Sequence, residues 1–191
     1  MKIALFGATG AVDGYFPEKA LAAGHQVFAL ARSPEKLDEH PNLFTVKSDI
    51  TNMSNVQFVM DHADVAVSCL GNVKGILIME KAAEVILQAA AGQSNSRKCL
   101  FVSSINCGGT SWVVKRILQE IGGCSSFIDY ERVDKRSSQE TRVPYVLIRP
   151  AILKEKPGIG KYRVFQTEGT FARPSSKVDL SAFPFNALQS D

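Results

Sequence analysis

The alternation of short apolar runs with longer helical stretches constrains the fold of this chain more than any other sequence feature. Six runs have strand character: Lys2–Phe6, His25–Ala31, Leu43–Lys47, Val65–Leu70, Cys99–Ile105 and Tyr145–Arg149. Helical crossovers between strands place those strands parallel in one sheet. The fourth and fifth runs are apolar almost throughout, which is typical of strands buried on both faces. The pattern predicts an α/β fold, a doubly wound parallel sheet in three layers (α/β/α).

The segments between and after these runs predict the remaining elements. Ser33 and Pro34 resemble the N-cap and first position of a helix. The other helical predictions are a helix ending near Gly24 and helices at Asn55–Met60, Gly75–Ala91, Ser111–Ile121 and Asp129–Glu140. After Pro150 we expect loops, a strand at Lys161–Phe165 and a helix at Ser175–Leu188 that Pro184 interrupts.

Length and charge narrow the function classes. At 191 residues, with 45% hydrophobic and 21% charged residues, the chain is predicted to be one globular domain. We divide it into a core (1–150) and a small C-terminal segment (151–191). The net charge is only +3, and its excess lies in residues 112–163, which carry 11 basic and 6 acidic side chains. This distribution argues against a nucleic-acid partner and leaves open an anionic small molecule.

The cysteines and the N-terminal sequence indicate whether the protein binds a metal and in which compartment it is found. The four cysteines form no C-x-x-C pair, so no metal site is predicted. The N-terminus has no signal-peptide pattern, and every apolar run is far shorter than the roughly 20 residues that cross a bilayer. We expect a reduced, cytoplasmic protein with no membrane partner, and the oligomeric state stays open.

A glycine-rich turn, Gly7-Ala8-Thr9-Gly10, joins the first strand to the first helix. Glycines allow the backbone to approach a pyrophosphate, and amides at a helix N-terminus point at it. The strand–turn–helix context favours this interpretation over an ordinary tight turn.

Motifs along the whole chain resemble those of one family, the atypical short-chain dehydrogenase/reductases with an NAD(P)-binding Rossmann core. Besides the glycine turn they are Ala31-Arg32-Ser33-Pro34, Ser48-Asp49-Ile50, Cys69-Leu70-Gly71, Phe101–Ile105, Leu147-Ile148-Arg149-Pro150, Pro157–Val164 and Ser176–Leu180. The compact members, which are flavin/biliverdin reductase B-like and NmrA-like, are the most similar. The resemblance implies a Rossmann-like fold whose C-terminal segment lies on the substrate side.

The resemblance also implies a set of cofactor contacts. They are Gly7, Thr9, Gly10, Ala11, Arg32, Ser33, Asp49, Ile50, Leu70, Gly71, Ser103 and Pro150. Arg32 ends the second strand, where NAD-binding proteins of this architecture carry an acidic residue. A guanidinium can hold a 2′-phosphate, so NADP(H) is preferred over NAD(H), although Arg32 could be a solvated arginine and Asp49 a turn cap.

Two residues depart from the family pattern at the cofactor loop. Asp13 stands where the third glycine is expected, and its charge would repel a pyrophosphate. Pro17 falls inside the expected first helix, which must start late or bend. Both changes suggest reduced cofactor affinity.

The candidate catalytic residues are Ser104, at the end of the fifth strand, and Tyr130. In the wider family a tyrosine acts with a lysine four residues later, but that position is Asp134 here and Lys135 follows it. One residue rotates the lysine by about 100° on a helix, so we interpret Tyr130 rather as a surface or packing tyrosine.

Three functions are compatible with these residues. The first is an NADP(H)-dependent reductase that passes hydride to a small planar acceptor such as a flavin or quinone. The substrate would lie between the Asn106–Trp112 and Ala151–Tyr162 loops, beside a basic set of residues: Lys115, Arg116, Lys154, Lys156, Lys161 and Arg163. The second is an NmrA-like dinucleotide-binding sensor or scaffold without turnover. A sugar-nucleotide epimerase is disfavoured, since few residues follow Pro150.

Overall fold

A parallel six-stranded sheet forms the centre of the computed structural model, which describes residues 1–10, 15–71, 78–93, 98–104, 124–150, 153–161 and 175–181. Its strands are β1 (Lys2–Phe6), β2 (Gln26–Ala31), β3 (Leu43–Lys47), β4 (Val65–Ser68), β5 (Cys99–Val102) and β6 (Tyr145–Ile148). They lie in the order β3-β2-β1-β4-β5-β6. This is the doubly wound order of the Rossmann fold, so the predicted fold class is confirmed.

Alternating side chains of the central strands build one core on each face of the sheet. In β1, Ile3 and Leu5 enter one core, and Ala4 and Phe6 enter the other, all with no exposed surface. Because both faces are covered, the strands can be apolar throughout. This explains why the strands read as continuous apolar runs rather than alternating ones.

In the part of the chain that the structure describes, four helices cover the two faces. They are α1 (Tyr15–Ala22), α2 (Met53–Asp61), α3 (Met79–Ala91) and α4 (Cys124–Gln139). Buried residues of α1 belong to the Ile3 core, whereas those of α2, α3 and α4 belong to the Phe6 core. Pro17 is buried in α1, two residues after Tyr15, where the second described range of the chain begins, and the helix continues past it to Ala22. The described helix therefore includes the proline without an interior break.

The N-terminus of α3 is capped from another helix. Its own N-cap residue is Ile78, whose side chain accepts no hydrogen bond. The carboxylate of Asp129, which is completely buried on α4, accepts the backbone amides of Met79 and Glu80, both at 2.9 Å. A negative charge at this end of a helix also suits the helix dipole. The arrangement ties α3 to α4 beside the sheet.

Several predicted boundaries are wrong, although all six predicted strands of the main sheet are present. The second, fourth, fifth and sixth strands are shorter than predicted. Helix α2 starts two residues before its predicted start, and α4 is already helical at Cys124 instead of starting at Asp129. Ser33 precedes a single 3-10 turn, Pro34–Lys36, and makes no side-chain cap bond. Leu37 is extended directly after that turn, so no longer helix forms.

The C-terminal segment also differs from its prediction. Two short parallel strands, β7 (Leu153–Lys154) and β8 (Ser175–Ser176), pair beside the main sheet, and a helical turn spans residues 177–181. The predicted helical start at Ser175 is therefore wrong, because residues 175–176 bond to β7. The predicted helix Ser111–Ile121 and Pro184 lie outside the described residues. Of the predicted strand Lys161–Phe165, only Lys161 is described.

Candidate functional site

The site lies where the strand order reverses. Strand β1 pairs with β2 on one side and β4 on the other, so the chain leaves their carboxyl ends in opposite directions. In open α/β sheets such a switch point leaves a crevice that binds ligands. The carboxyl ends of β2 and β3 lie on one side of this crevice, and those of β5 and β6 lie on the other.

The turn after β1 lies very close to the end of β4. Gly7 has φ of +95°, and a Cβ placed on it would lie 2.9 Å from the Leu70 amide nitrogen and 3.0 Å from the Cys69 carbonyl carbon. Only glycine fits here without strain. Gly10 donates its amide to the Gly7 carbonyl at 3.2 Å, and Thr9 and Gly10 are exposed. The predicted cofactor residues Gly7, Leu70 and Gly71 thus converge at the crevice, whereas Ala11 and Asp13 lie outside the described residues.

A second group of predicted residues lies at the ends of β2 and β3. Arg32 is exposed, and the Ser48 amide bonds to the Ala31 carbonyl at 3.1 Å, which keeps the two strand ends together. The Asp49 carboxylate accepts the Thr51 amide at 2.9 Å and the Thr51 hydroxyl at 2.8 Å. These bonds, with a smaller contribution from the Arg32 charge, lower the pKa of Asp49. The carboxylate therefore also has the turn-cap role that the sequence left open.

Ile50 is placed differently from the other predicted cofactor residues. It is 5% exposed and packs in the Phe6 core. Ser33 and Pro150 are half-buried.

A charged network joins the ends of β5 and β6 to α4. The Ser103 hydroxyl donates to Asp134 Oδ1 at 2.8 Å, and Arg149 donates to Asp134 Oδ2 from Nε at 3.0 Å and from Nη2 at 2.7 Å. Ser103 is 2% exposed, and its amide bonds to the Ile148 carbonyl at 2.7 Å. Because a carboxylate only accepts, the single hydroxyl hydrogen of Ser103 is committed to Asp134. Ser103 can then only accept hydrogen bonds from a ligand.

Among the described residues, Tyr130 has no lysine at the position that the tyrosine–lysine pair of the wider family requires. Tyr130 is half-buried and packs against the Phe6 core, Lys135 is exposed, and Asp134 occupies the position four residues after Tyr130. Ser104 is half-buried directly after Ser103. The sequence marks Asp134 only as the residue that stands in place of the expected lysine. Its position one helical turn after Tyr130 is the signal that could have identified it as a site residue.

The two C-terminal motifs meet through one carboxylate that the sequence did not single out. Asp179, which is 8% exposed, accepts the amides of Ile159 at 3.1 Å and Gly160 at 2.9 Å. Ser176 Oγ donates to the Lys156 carbonyl at 2.6 Å, and the Lys19 ammonium on α1 donates to the Val178 carbonyl. The predicted substrate-side loop is therefore fixed to the 175–181 segment.

Other predicted features are placed as follows. Lys154, Lys156 and Lys161 are exposed on the substrate-side loop. Lys115, Arg116, Arg163 and Trp112 lie outside the described residues. Within the described ranges, no cluster of three or more His, Cys, Asp or Glu side chains is arranged to hold a metal ion. Nor does that part of the chain contain a helix with the length and apolarity to cross a membrane.

The strand order and the glycine turn define a dinucleotide-binding domain of the Rossmann class. Comparison with known families agrees, since a family model described as NAD(P)H-binding matches residues 7–191. The chain belongs to this NAD(P)H-binding family, and the resemblance to the atypical dehydrogenase/reductases is confirmed. Its cofactor class is a nicotinamide dinucleotide.

Solved structures with the same fold include several reductases. ChuY, an anaerobillin reductase from Escherichia coli O157:H7, is 20% identical over 100% of this chain and 91% of its own, with a TM-score of 0.80. The oxidoreductase ylbE from Lactococcus lactis is 20% identical over 98% and 84%, with a TM-score of 0.82. A short-chain dehydrogenase/reductase from Veillonella parvula DSM 2008, solved in complex with NADP, is 14% identical over 100% and 88%, with a TM-score of 0.83. At these identities the likeness shows the fold.

Proposed function

We infer that this protein is an NADP(H)-dependent oxidoreductase that transfers hydride to a small planar acceptor, such as a flavin or quinone. The observation that carries this proposal is the crevice itself, where the Gly7 turn approaches the end of β4 too closely for any side chain. Membership of the NAD(P)H-binding family supports it, as does the reductase activity named for structural relatives.

The residues present fit the dinucleotide. The backbone at Gly7–Gly10 would hold the pyrophosphate, because this turn leads directly into the first helix. Arg32 and Ser33, at the end of β2, would hold a 2′-phosphate, and exposure leaves the guanidinium accessible. A structural relative was solved with NADP, which supports a phosphorylated dinucleotide.

The chain's own hydroxyl groups restrict the chemistry. NADPH supplies a hydride when bound, so the protein must position the acceptor and provide for a proton. Ser103 gives its hydrogen to Asp134, and Tyr130 packs against the core without a lysine one turn later. Ser104 is then our candidate for a hydroxyl that donates to the acceptor. Flavins and quinones suit such a site, because they accept hydride without a strong general acid.

The basic side chains suggest an anionic acceptor. Lys154, Lys156 and Lys161 are exposed on the loop that Asp179 fixes, and they belong to the segment with the positive excess. A positive surface beside a binding cleft raises the local concentration of anions.

Calorimetric titration with NADPH and NADH tests the cofactor. We expect Arg32→Ala to weaken NADPH binding by about tenfold or more and NADH binding by less than about twofold, because a charged hydrogen-bond pair is lost only with the 2′-phosphate. Arg142→Ala is the matched control, since Arg142 precedes β6 at the opposite end of the sheet and pairs with Glu140. Equal losses for both cofactors would contradict the NADP(H) preference, and no binding to wild type would contradict the function.

A second candidate is a dinucleotide-binding redox sensor of the NmrA-like kind. Asp134 in the lysine position favours it, because Tyr130 then lacks the lysine that completes the proton-transfer pair of the wider family. NADPH binding with no oxidation by FMN, menadione or a tetrazolium dye would support the sensor over the reductase.

A further inference from the structure

Asp134 is an enclosed carboxylate that holds a more exposed arginine. The exposed fraction is 11% for the Asp134 side chain and 33% for Arg149. The carboxylate also receives the Ser103 hydroxyl, so bonds reach both of its oxygens. About a third of the Arg149 side chain therefore faces solvent at the end of β6, while one edge of its guanidinium is held by Asp134.

The guanidinium keeps hydrogen-bonding capacity after this pairing. Arginine has five N–H donors, and the contacts to Asp134 use Nε and Nη2. Within the described residues Nη1 makes no hydrogen bond, so it can donate to an outside acceptor. A planar guanidinium with two edges can bind one carboxylate inside the protein and a second anion outside it.

The position of Arg149 matches the acceptor rather than the cofactor phosphates. In the proposed function Arg32 binds the 2′-phosphate on the β2 side of the switch point, so the nicotinamide end extends towards β5 and β6. Strand β6 lies two places from β4 in the sheet, a separation of about 10 Å at ordinary strand spacing. Arg149 thus stands beside the space that an acceptor over the nicotinamide would fill.

We propose that Arg149 binds an anionic group of the acceptor, and that Asp134 is a positioning residue that orients Arg149 for this contact. The inference rests on the proposed function for the identity of the site, and it assigns the substrate class: a planar acceptor that carries a carboxylate or phosphate. The alternative is that the pair only fastens α4 to β6. If the pair had only this structural role, replacing Arg149 would weaken the binding of charged and neutral acceptors equally. A comparison of the two kinds of acceptor therefore separates the structural role from the binding role.

FMN and riboflavin provide the matched probes, because they share the ring and differ by one phosphate. Binding is measured by flavin fluorescence with saturating NADP⁺, and turnover is measured with NADPH. We expect wild type to prefer FMN over riboflavin by about tenfold, as a charge-assisted contact implies. Arg149→Gln should reduce this ratio to near one with riboflavin binding unchanged, and Arg149→Lys should restore part of it.

Asp134→Ala tests the positioning role. It should lower kcat for FMN relative to riboflavin, because the loosened guanidinium no longer aligns the anchored ring. Arg142→Gln should change neither ratio, since its ion pair lies at the amino end of β6. Thermal unfolding of each variant shows whether it is folded.

Three results would overturn the proposal: no preference of wild type for FMN, no binding of either flavin, or parallel losses for both flavins in Arg149→Gln. Failure of the proposed function looks different, because wild type would then bind no NADPH. In that case, flavin binding measured without cofactor still tests whether Arg149 binds the anionic group.

Discussion

Replacing Gly7 with alanine should destabilise the fold at the crevice itself. The residue has φ of +95°, which costs an L-amino acid about 1–2 kcal/mol. The added Cβ would also lie 2.9 Å from the Leu70 nitrogen and 3.0 Å from the Cys69 carbonyl carbon. Both atoms are backbone atoms next to the buried strand β4, so neither can move aside as a flexible side chain would.

The cost of the positive φ and the steric cost of the added Cβ can be measured separately. Overpacking typically adds about 1–3 kcal/mol, so Gly7→Ala should lower the free energy of unfolding by about 2–5 kcal/mol. Gly24→Ala carries only the backbone cost, about 1–2 kcal/mol, because its φ is +76° and nothing lies within 4 Å of the new Cβ. Gly71→Ala has neither feature and should stay within about 0.5 kcal/mol of wild type.

Urea unfolding followed by far-ultraviolet circular dichroism measures all three variants. Calorimetry with NADPH on folded Gly7→Ala should in addition show weakened binding, because Gly7 and Leu70 must separate at the crevice. If Gly7→Ala is no less stable than Gly24→Ala, the close approach of the two strand ends is not what requires glycine here.

Two further predictions concern buried polar groups. Asp129→Ala should cost about 2 kcal/mol or more in the urea experiment, because it leaves the amides of Met79 and Glu80 without their cap, and Asp129→Asn should cost less. An unchanged unfolding midpoint for Asp129→Ala would contradict this role. Burial raises the pKa of the Cys99 thiol to about 12, so this thiol should resist Ellman's reagent at pH 8 until urea unfolds the protein. The contribution of Cys99 to stability is complete below the ordinary thiol pKa of 9.0 and is lost as pH rises towards 12, so the alkaline decline should be shallower in Cys99→Ala.

The elements of the sheet could be predicted because their signals are local. A strand such as Cys99–Val102 is apolar on both sides, and this property is visible in four consecutive residues. The glycine turn after β1 is local in the same sense. Boundaries were less predictable: Ser175–Ser176 form a strand only because Leu153–Lys154 lie beside them, and no pattern within the segment shows that partner.

The alternation of apolar runs was sufficient to predict the fold class of this protein, and the glycine turn together with the motifs along the chain predicted a nicotinamide dinucleotide as its cofactor. The order of the strands in the sheet came from the structure. Tertiary structure alone decided the partners of three aspartates. The sequence shows none of their contacts: Asp129 caps a distant helix, Asp134 holds Ser103 and Arg149, and Asp179 fixes the substrate-side loop. The physical reason is that apolar burial follows a periodicity along the chain, whereas a buried charge is stabilised by partners that the fold brings from other elements.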